Sequence, residues 1–208
     1  MRQCYAYAQV LVWKLFDTLR HGNAGSPQRI ETSSTGMVAL PRRSLLRDMW
    51  LQTHMFLCLP ASAILDRLWV GSALNAADKG WLTRNSVRYV INVSQEVPNL
   101  YDDELEYCQL QLRDVEGCTI PWRWTSLFIH NALSSGDGVL IHCFLGRSRS
   151  VAVACHYLMS HQGYSFQDAY RHVSLHRPIA SLNADLAADL AAQEAALPRE
   201  LPLEATAQ

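Results

Sequence analysis

His142-Cys143-Phe144-Leu145-Gly146-Arg147-Ser148-Arg149-Ser150 is the stretch from which the rest of this chain is read. Ahead of it runs the apolar Gly138-Val139-Leu140-Ile141. Behind it, Val151-Ala152-Val153-Ala154 opens a run with helical spacing. That order predicts a buried strand over Val139 to Cys143, a short loop, and a helix over Val151 to Gln162 packed on the sheet. A loop so placed aims backbone N–H groups at one point, with the positive end of the helix dipole behind them. Such a cradle suits an anion, and phosphate best of all.

The residue types fit that chemistry. Only a thiolate attacks, and converging N–H donors, the helix start and Arg149 should hold Cys143 in that form. Arg149 offers a planar fork that matches two phosphoryl oxygens, which a lysine could not do. Gly146 turns the backbone without a side chain crowding the oxyanion. Phe144, Leu145, Gly146, Arg147, Ser148 and Arg149 form the expected phosphate-binding set. Ser150 can donate to the sulfur and ease its departure, and His142 orients the loop through backbone hydrogen bonds.

Histidine, cysteine, two residues, glycine, two residues, arginine, serine resembles the signature of the cysteine-dependent protein phosphatases. The Ser148-Arg149-Ser150 ending resembles the dual-specificity branch, and Leu68-Trp69-Val70-Gly71-Ser72 through Trp81-Leu82 is similar to the opening of its domains. The resemblance implies hydrolysis of phosphotyrosine and phosphoserine or phosphothreonine on a protein substrate, through a phosphocysteine and without metal or cofactor. A leaving alkoxide also needs a general acid on a segment above the loop. The family carries its acid at a strand end and spacing like those of Asp114, with Glu116 in reserve. Leu145 is bulkier than the usual alanine and Arg147 adds charge at the rim. Relatives with extra basic residues act on inositol phospholipids or RNA, so lipid or nucleic-acid phosphates are the alternative substrates; a non-catalytic scaffold is the other rival, against which Cys143, Arg149 and Asp114 all speak.

The 208 residues suit one domain with extra segments. A hydrophobic content of 49% supports a sizeable core, and a net charge of −1 gives no reason to expect a nucleic-acid partner. The six cysteines include no CxxC, so zinc clusters and paired redox motifs find no support. A thiolate enzyme needs a reducing compartment, which makes cytoplasm or nucleus the expectation. Cys108 or Cys118 as an oxidative partner for Cys143 stands against the plainer reading of buried thiols.

Residues 1–60 read as an extension, 61–197 as the catalytic domain and 198–208 as a tail. The apolar run Cys4 to Trp13 is too short to cross a bilayer. Seven Lys/Arg against three Asp/Glu up to residue 60 leave a mitochondrial transit sequence beside the plainer reading, a short helix and a flexible tail. Pro41-Arg42-Arg43-Ser44-Leu45-Leu46 reads either as a solvated connector or as a docking stretch for a kinase.

Within the domain we expect a strand over Ile64 to Val70, a helix over Asn75 to Asn85, and strands over Arg88 to Ser94 and Tyr107 to Leu112. Helices should follow over Trp124 to Leu133, from Ser165 to His176, and from Asn183 to Ala196. Strands alternating with helices, then helices alone, imply an α/β fold with a mostly parallel central sheet flanked by helices. The histidines 130, 156, 161, 172 and 176 fit no metal motif and read as surface or packing residues, and Trp122 and Trp124 read as packing against the next helix, with lining of the substrate cleft as the alternative.

Overall fold

The computed structural model describes residues 58–112 and 120–197. Asp114, Glu116, Cys118, the docking stretch, residues 1–57 and residues 198–208 lie outside them. The fold is α/β: a five-stranded sheet in the order β1-β2-β5-β3-β4, with helices on both faces. β1 (Ser62–Leu65) runs antiparallel to β2 (Leu68–Gly71). β2, β5 (Gly138–His142), β3 (Val87–Asn92) and β4 (Glu106–Gln109) are all parallel, as the strand–helix alternation predicted.

β5 lies in the middle, and all five of its residues are buried. Its run of apolar residues without alternation is what a strand covered on both faces requires. Leu140 faces a smaller cluster with Ala76, Leu82, Val87 and Val90, under α1 (Ala73–Ala77) and α2 (Lys79–Arg84). Val139 and Ile141 face the main core, formed with α3 (Trp122–Ser134), α4 (Arg149–Gln162), α5 (Phe166–His176) and α6 (Ala184–Ala196). α4 is buried continuously from Arg149 to Met159 because sheet and helices enclose it. Its apolar residues therefore run all round rather than along one stripe.

Several boundaries differ from the sequence reading. The single strand over Ile64 to Val70 is a hairpin, turned at Asp66-Arg67 with Arg67 in the left-handed region at φ 59°. The helix over Asn75 to Asn85 is two helices. Asp78 ends α1 and caps α2 by accepting from the Trp81 N–H, and an aspartate that bonds locally competes with a continuous helix. β4 stops at Gln109 instead of reaching Leu112, although Leu110 still donates to the Asn92 carbonyl at 2.8 Å. α3 begins two residues early, at Trp122, and β5 ends at His142, so Cys143 is the first residue past the strand. Two helices start on side-chain caps: Ser165 accepts from Asp168 N–H and Asn183 from Leu186 N–H, each worth about 1 kcal/mol. Among the described residues no helix is long and apolar enough to cross a membrane.

Candidate active site

The register places the site. Gly71 of β2 and Asn92 of β3 both pair with His142, so three parallel strands end level with one another. The loop Cys143–Ser148 springs from the central strand at this carboxyl edge, where open α/β sheets bind their ligands.

The backbone of the loop is fixed from outside. The Cys143 carbonyl faces His142 Nδ1 at 3.4 Å, and Phe144 O accepts from Ala73 N–H at 3.0 Å. Leu145 O and Gly146 O accept from the Arg177 guanidinium, and Arg147 O from Ser181 N–H at 2.9 Å. In a trans peptide the N–H points opposite to the C=O. Five consecutive carbonyls held outward therefore turn the following amides inward, toward the Cys143 side. One of these is seen directly: Gly146 N–H reaches Cys143 Sγ at 3.2 Å. Gly146 has φ +67°, and a Cβ there would lie 2.3 Å from Gly71 O, so both conformation and space demand glycine.

Cys143 is only 2% exposed. Its sulfur also contacts Ser150 Oγ at 3.4 Å, in the first turn of α4. The sulfur thus sits at a helix start among donors, an arrangement that favours an anion. His142 is buried with Nε2 unpartnered. Burial lowers its pKa to about 4, so it is neutral at physiological pH, in keeping with an orienting role and not a proton-transferring one.

Arg149 is 4% exposed and meets Glu96 fork to fork, Nη1 to Oε2 at 3.0 Å and Nη2 to Oε1 at 2.6 Å. Nη1 also donates to Leu112 O at 2.9 Å. Glu96 is carried there by a folded-back loop after β3. Buried Asn92 donates to Val97 O at 2.7 Å and to Asn99 Oδ1 at 2.9 Å, and accepts from Ser94 Oγ at 2.6 Å.

The structure thus gathers His142, Cys143, Gly146, Arg149 and Ser150 as the sequence proposed, with Phe144 and Ser148 buried in the loop and Arg147 exposed at its rim. Leu145 is half-buried. Glu96 and Arg177 were missed. Neither stands in the motif, and each reaches the loop from a distant part of the chain.

Other expectations resolve by packing. Cys108 is a buried thiol that burial pushes up to about 12. It pairs with Ile91, which pairs with Ile141, so it stands two strands over, about 9.5 Å laterally. That exceeds the roughly 7 Å a disulfide can bridge, which rules out Cys108 as a partner for Cys143 in this fold. Trp122 packs as expected, stacking on His156 and donating to Asp189 at 2.9 Å, whereas Trp124 is exposed. His156 is buried against Ser126, and the other four helical histidines lie at or near the surface.

A thiol ringed by amides at the mouth of a strand–loop–helix, with a guanidinium beside it, defines a phosphate loop of the cysteine-phosphatase kind. The chain belongs to the dual specificity phosphatase catalytic domain family, which it matches over residues 68–196. It is 38% identical over 125 residues to human protein phosphatase Slingshot homolog 3, covering 59% of this chain and 19% of that protein. It is 33% identical to Arabidopsis thaliana dual specificity protein phosphatase 1, covering 59% of this chain and 63% of that one. The chain therefore spans about a fifth of the Slingshot relative's length. Among solved structures it resembles human DUSP28, with TM-score 0.64, 28% identity, and coverage of 66% of this chain and 95% of that one. A mouse putative dual specificity phosphatase complexed with zinc tungstate has TM-score 0.64 and 27% identity, covering 81% of this chain and all of that one.

Proposed function

We propose that residues 61–197 hydrolyse phosphotyrosine and phosphoserine or phosphothreonine esters of proteins through a phosphocysteine. The observation that carries this is the Cys143 sulfur, which accepts the Gly146 N–H inside a loop whose carbonyls are all held outward. In this reading the thiolate attacks phosphorus, the ester P–O bond breaks, and the departing oxygen takes a proton. Amides from Phe144 to Ser148 and the Arg149 fork hold the three non-bridging oxygens. Glu96 sets the plane of that fork. We assign the proton to Asp114, two residues beyond Leu112, whose carbonyl Arg149 engages. In the second step the Asp114 carboxylate takes a proton from water, the water oxygen attacks phosphorus, and the P–S bond breaks. Ser150 donates to the returning thiolate.

The family supports a phosphoprotein substrate, and the mouse relative's tungstate is a tetrahedral oxyanion of phosphate-like shape. A thiolate nucleophile suits the reducing cytosol or nucleus, and Cys108, Cys143 and Cys155 are free thiols. The test is phosphate release from a panel of singly phosphorylated Tyr, Ser and Thr peptides and of phosphoinositides. Turnover on both peptide classes supports the reading. Turnover on phosphoinositides alone overturns the substrate class, and none on any substrate overturns the activity.

A further inference from the structure

Arg177 is 1% exposed, the largest fully buried side chain among the described residues. It follows the last turn of α5 and lies under the phosphate loop. Nε donates to Gly146 O and Nη2 to Leu145 O at 3.2 Å, while Nη1 reaches Pro60 O at 3.2 Å and Ser62 Oγ at 3.3 Å. Among the described residues no carboxylate bonds to it. A buried cation without a counter-ion is costly, so a negative charge is expected close by.

The nearest group that can carry one is the Cys143 sulfur, reached through a single peptide group. The amide joining Leu145 to Gly146 accepts from Arg177 at its oxygen and donates to Cys143 Sγ at its nitrogen. The bonds run in one direction, from guanidinium to carbonyl and from N–H to sulfur, so each polarises the next. Burial lowers Arg177 to about 10, and the charge at Cys143 opposes that shift.

We propose that Arg177 is a positioning residue of the active centre: it sets the Leu145–Gly146 amide and supplies the buried positive charge that keeps Cys143 ionised. Arg149 faces the phosphoryl oxygens and Glu96, and Arg177 faces the sulfur from behind the loop. The inference rests on reading Cys143 as a thiolate nucleophile and extends that reading to a second cation.

The test is the rate at which iodoacetamide alkylates Cys143, followed by the mass of its peptide from pH 5 to pH 10 in the full chain. It needs no phosphatase turnover. In Arg177→Gln the rate at pH 6 should fall about tenfold or more, as expected for loss of an opposite charge nearby, and converge with the wild-type rate near pH 10. Arg177→Lys, which keeps the charge, should recover most of the low-pH rate. Ser62→Asp leaves Arg177 and the loop in place but gives the guanidinium a carboxylate, and it too should slow alkylation at pH 6. Unchanged low-pH alkylation in Ser62→Asp and in folded Arg177→Gln overturns the proposal, as does an equal loss in the Lys and Gln variants. Wild-type turnover with unchanged alkylation leaves the phosphatase reading standing. A shifted alkylation profile without turnover leaves Arg177's role and removes the phosphatase reading.

Discussion

Glu96 holds Arg149 by both ends of its carboxylate, at 2.6 and 3.0 Å, with the arginine buried and the glutamate partly open to solvent. The contact fixes the plane in which a phosphoryl group would be met. Glu96→Gln keeps the size but loses the charge and one of the two acceptors, so the fork is held less tightly, although Nη1 keeps its bond to Leu112 O. We expect kcat/KM on p-nitrophenyl phosphate to fall about 10- to 100-fold, the scale of small misplacements in a positioned site. Steady-state kinetics check this, and a change under twofold would contradict it.

Cys143→Ser should abolish turnover, since a neutral hydroxyl in the same ring of amides is a far weaker nucleophile. The ring itself remains, so tungstate should still bind the variant and raise its melting temperature. The wild-type rate should be unchanged in EDTA, because no proposed step involves a metal.

A general acid contributes about 10²- to 10⁴-fold, and more for a poorer leaving group. Asp114→Asn should therefore cost more on phenyl phosphate than on p-nitrophenyl phosphate. Equal losses on the two esters would send the role elsewhere, with Glu116 the next residue to replace.

Gly146→Ala tests the loop's geometry. A left-handed φ costs an alanine about 1–2 kcal/mol, before its Cβ meets Gly71 O at 2.3 Å. The variant should melt at a lower temperature and lose turnover at least 100-fold. Full activity would mean the turn does not need glycine.

Burial lowers both His142 and His156 to about 4 from an ordinary 6.5. Above about 6.5 neither folded nor unfolded chain is protonated at these positions. Between 6.5 and about 4 the unfolded chain takes up protons that the folded chain refuses, so stability should fall as pH drops through that window. Melting temperatures at pH 7.5, 5.5 and 4.5 read this directly, and His156→Asn should flatten the decline.

The strand, loop and helix around Cys143 were legible because both the periodicity and the residue types of one short stretch agree. The break at Asp78 was not, since a local aspartate cap looks the same inside one helix as between two. Nor was the turn at Asp66-Arg67, which two polar residues make inside an otherwise apolar run. Glu96 and Arg177 lay beyond local reading for a different reason. Glu96 meets Arg149 across 53 residues of chain and Arg177 meets Gly146 across 31, so their partners exist only once the sheet has assembled. Asp114 rests on its place in the sequence.

Because the loop carbonyls are all engaged from outside, the ring is shaped when the chain folds and needs no ligand to order it. Such a preorganised socket should admit bare orthophosphate as well as a phosphoryl group on an ester, so turnover should show product inhibition. If the proposed activity holds, choice among phosphorylated targets should fall to the rim, where Arg147 is exposed, and Arg147→Ala should change the order of preference among phosphopeptides.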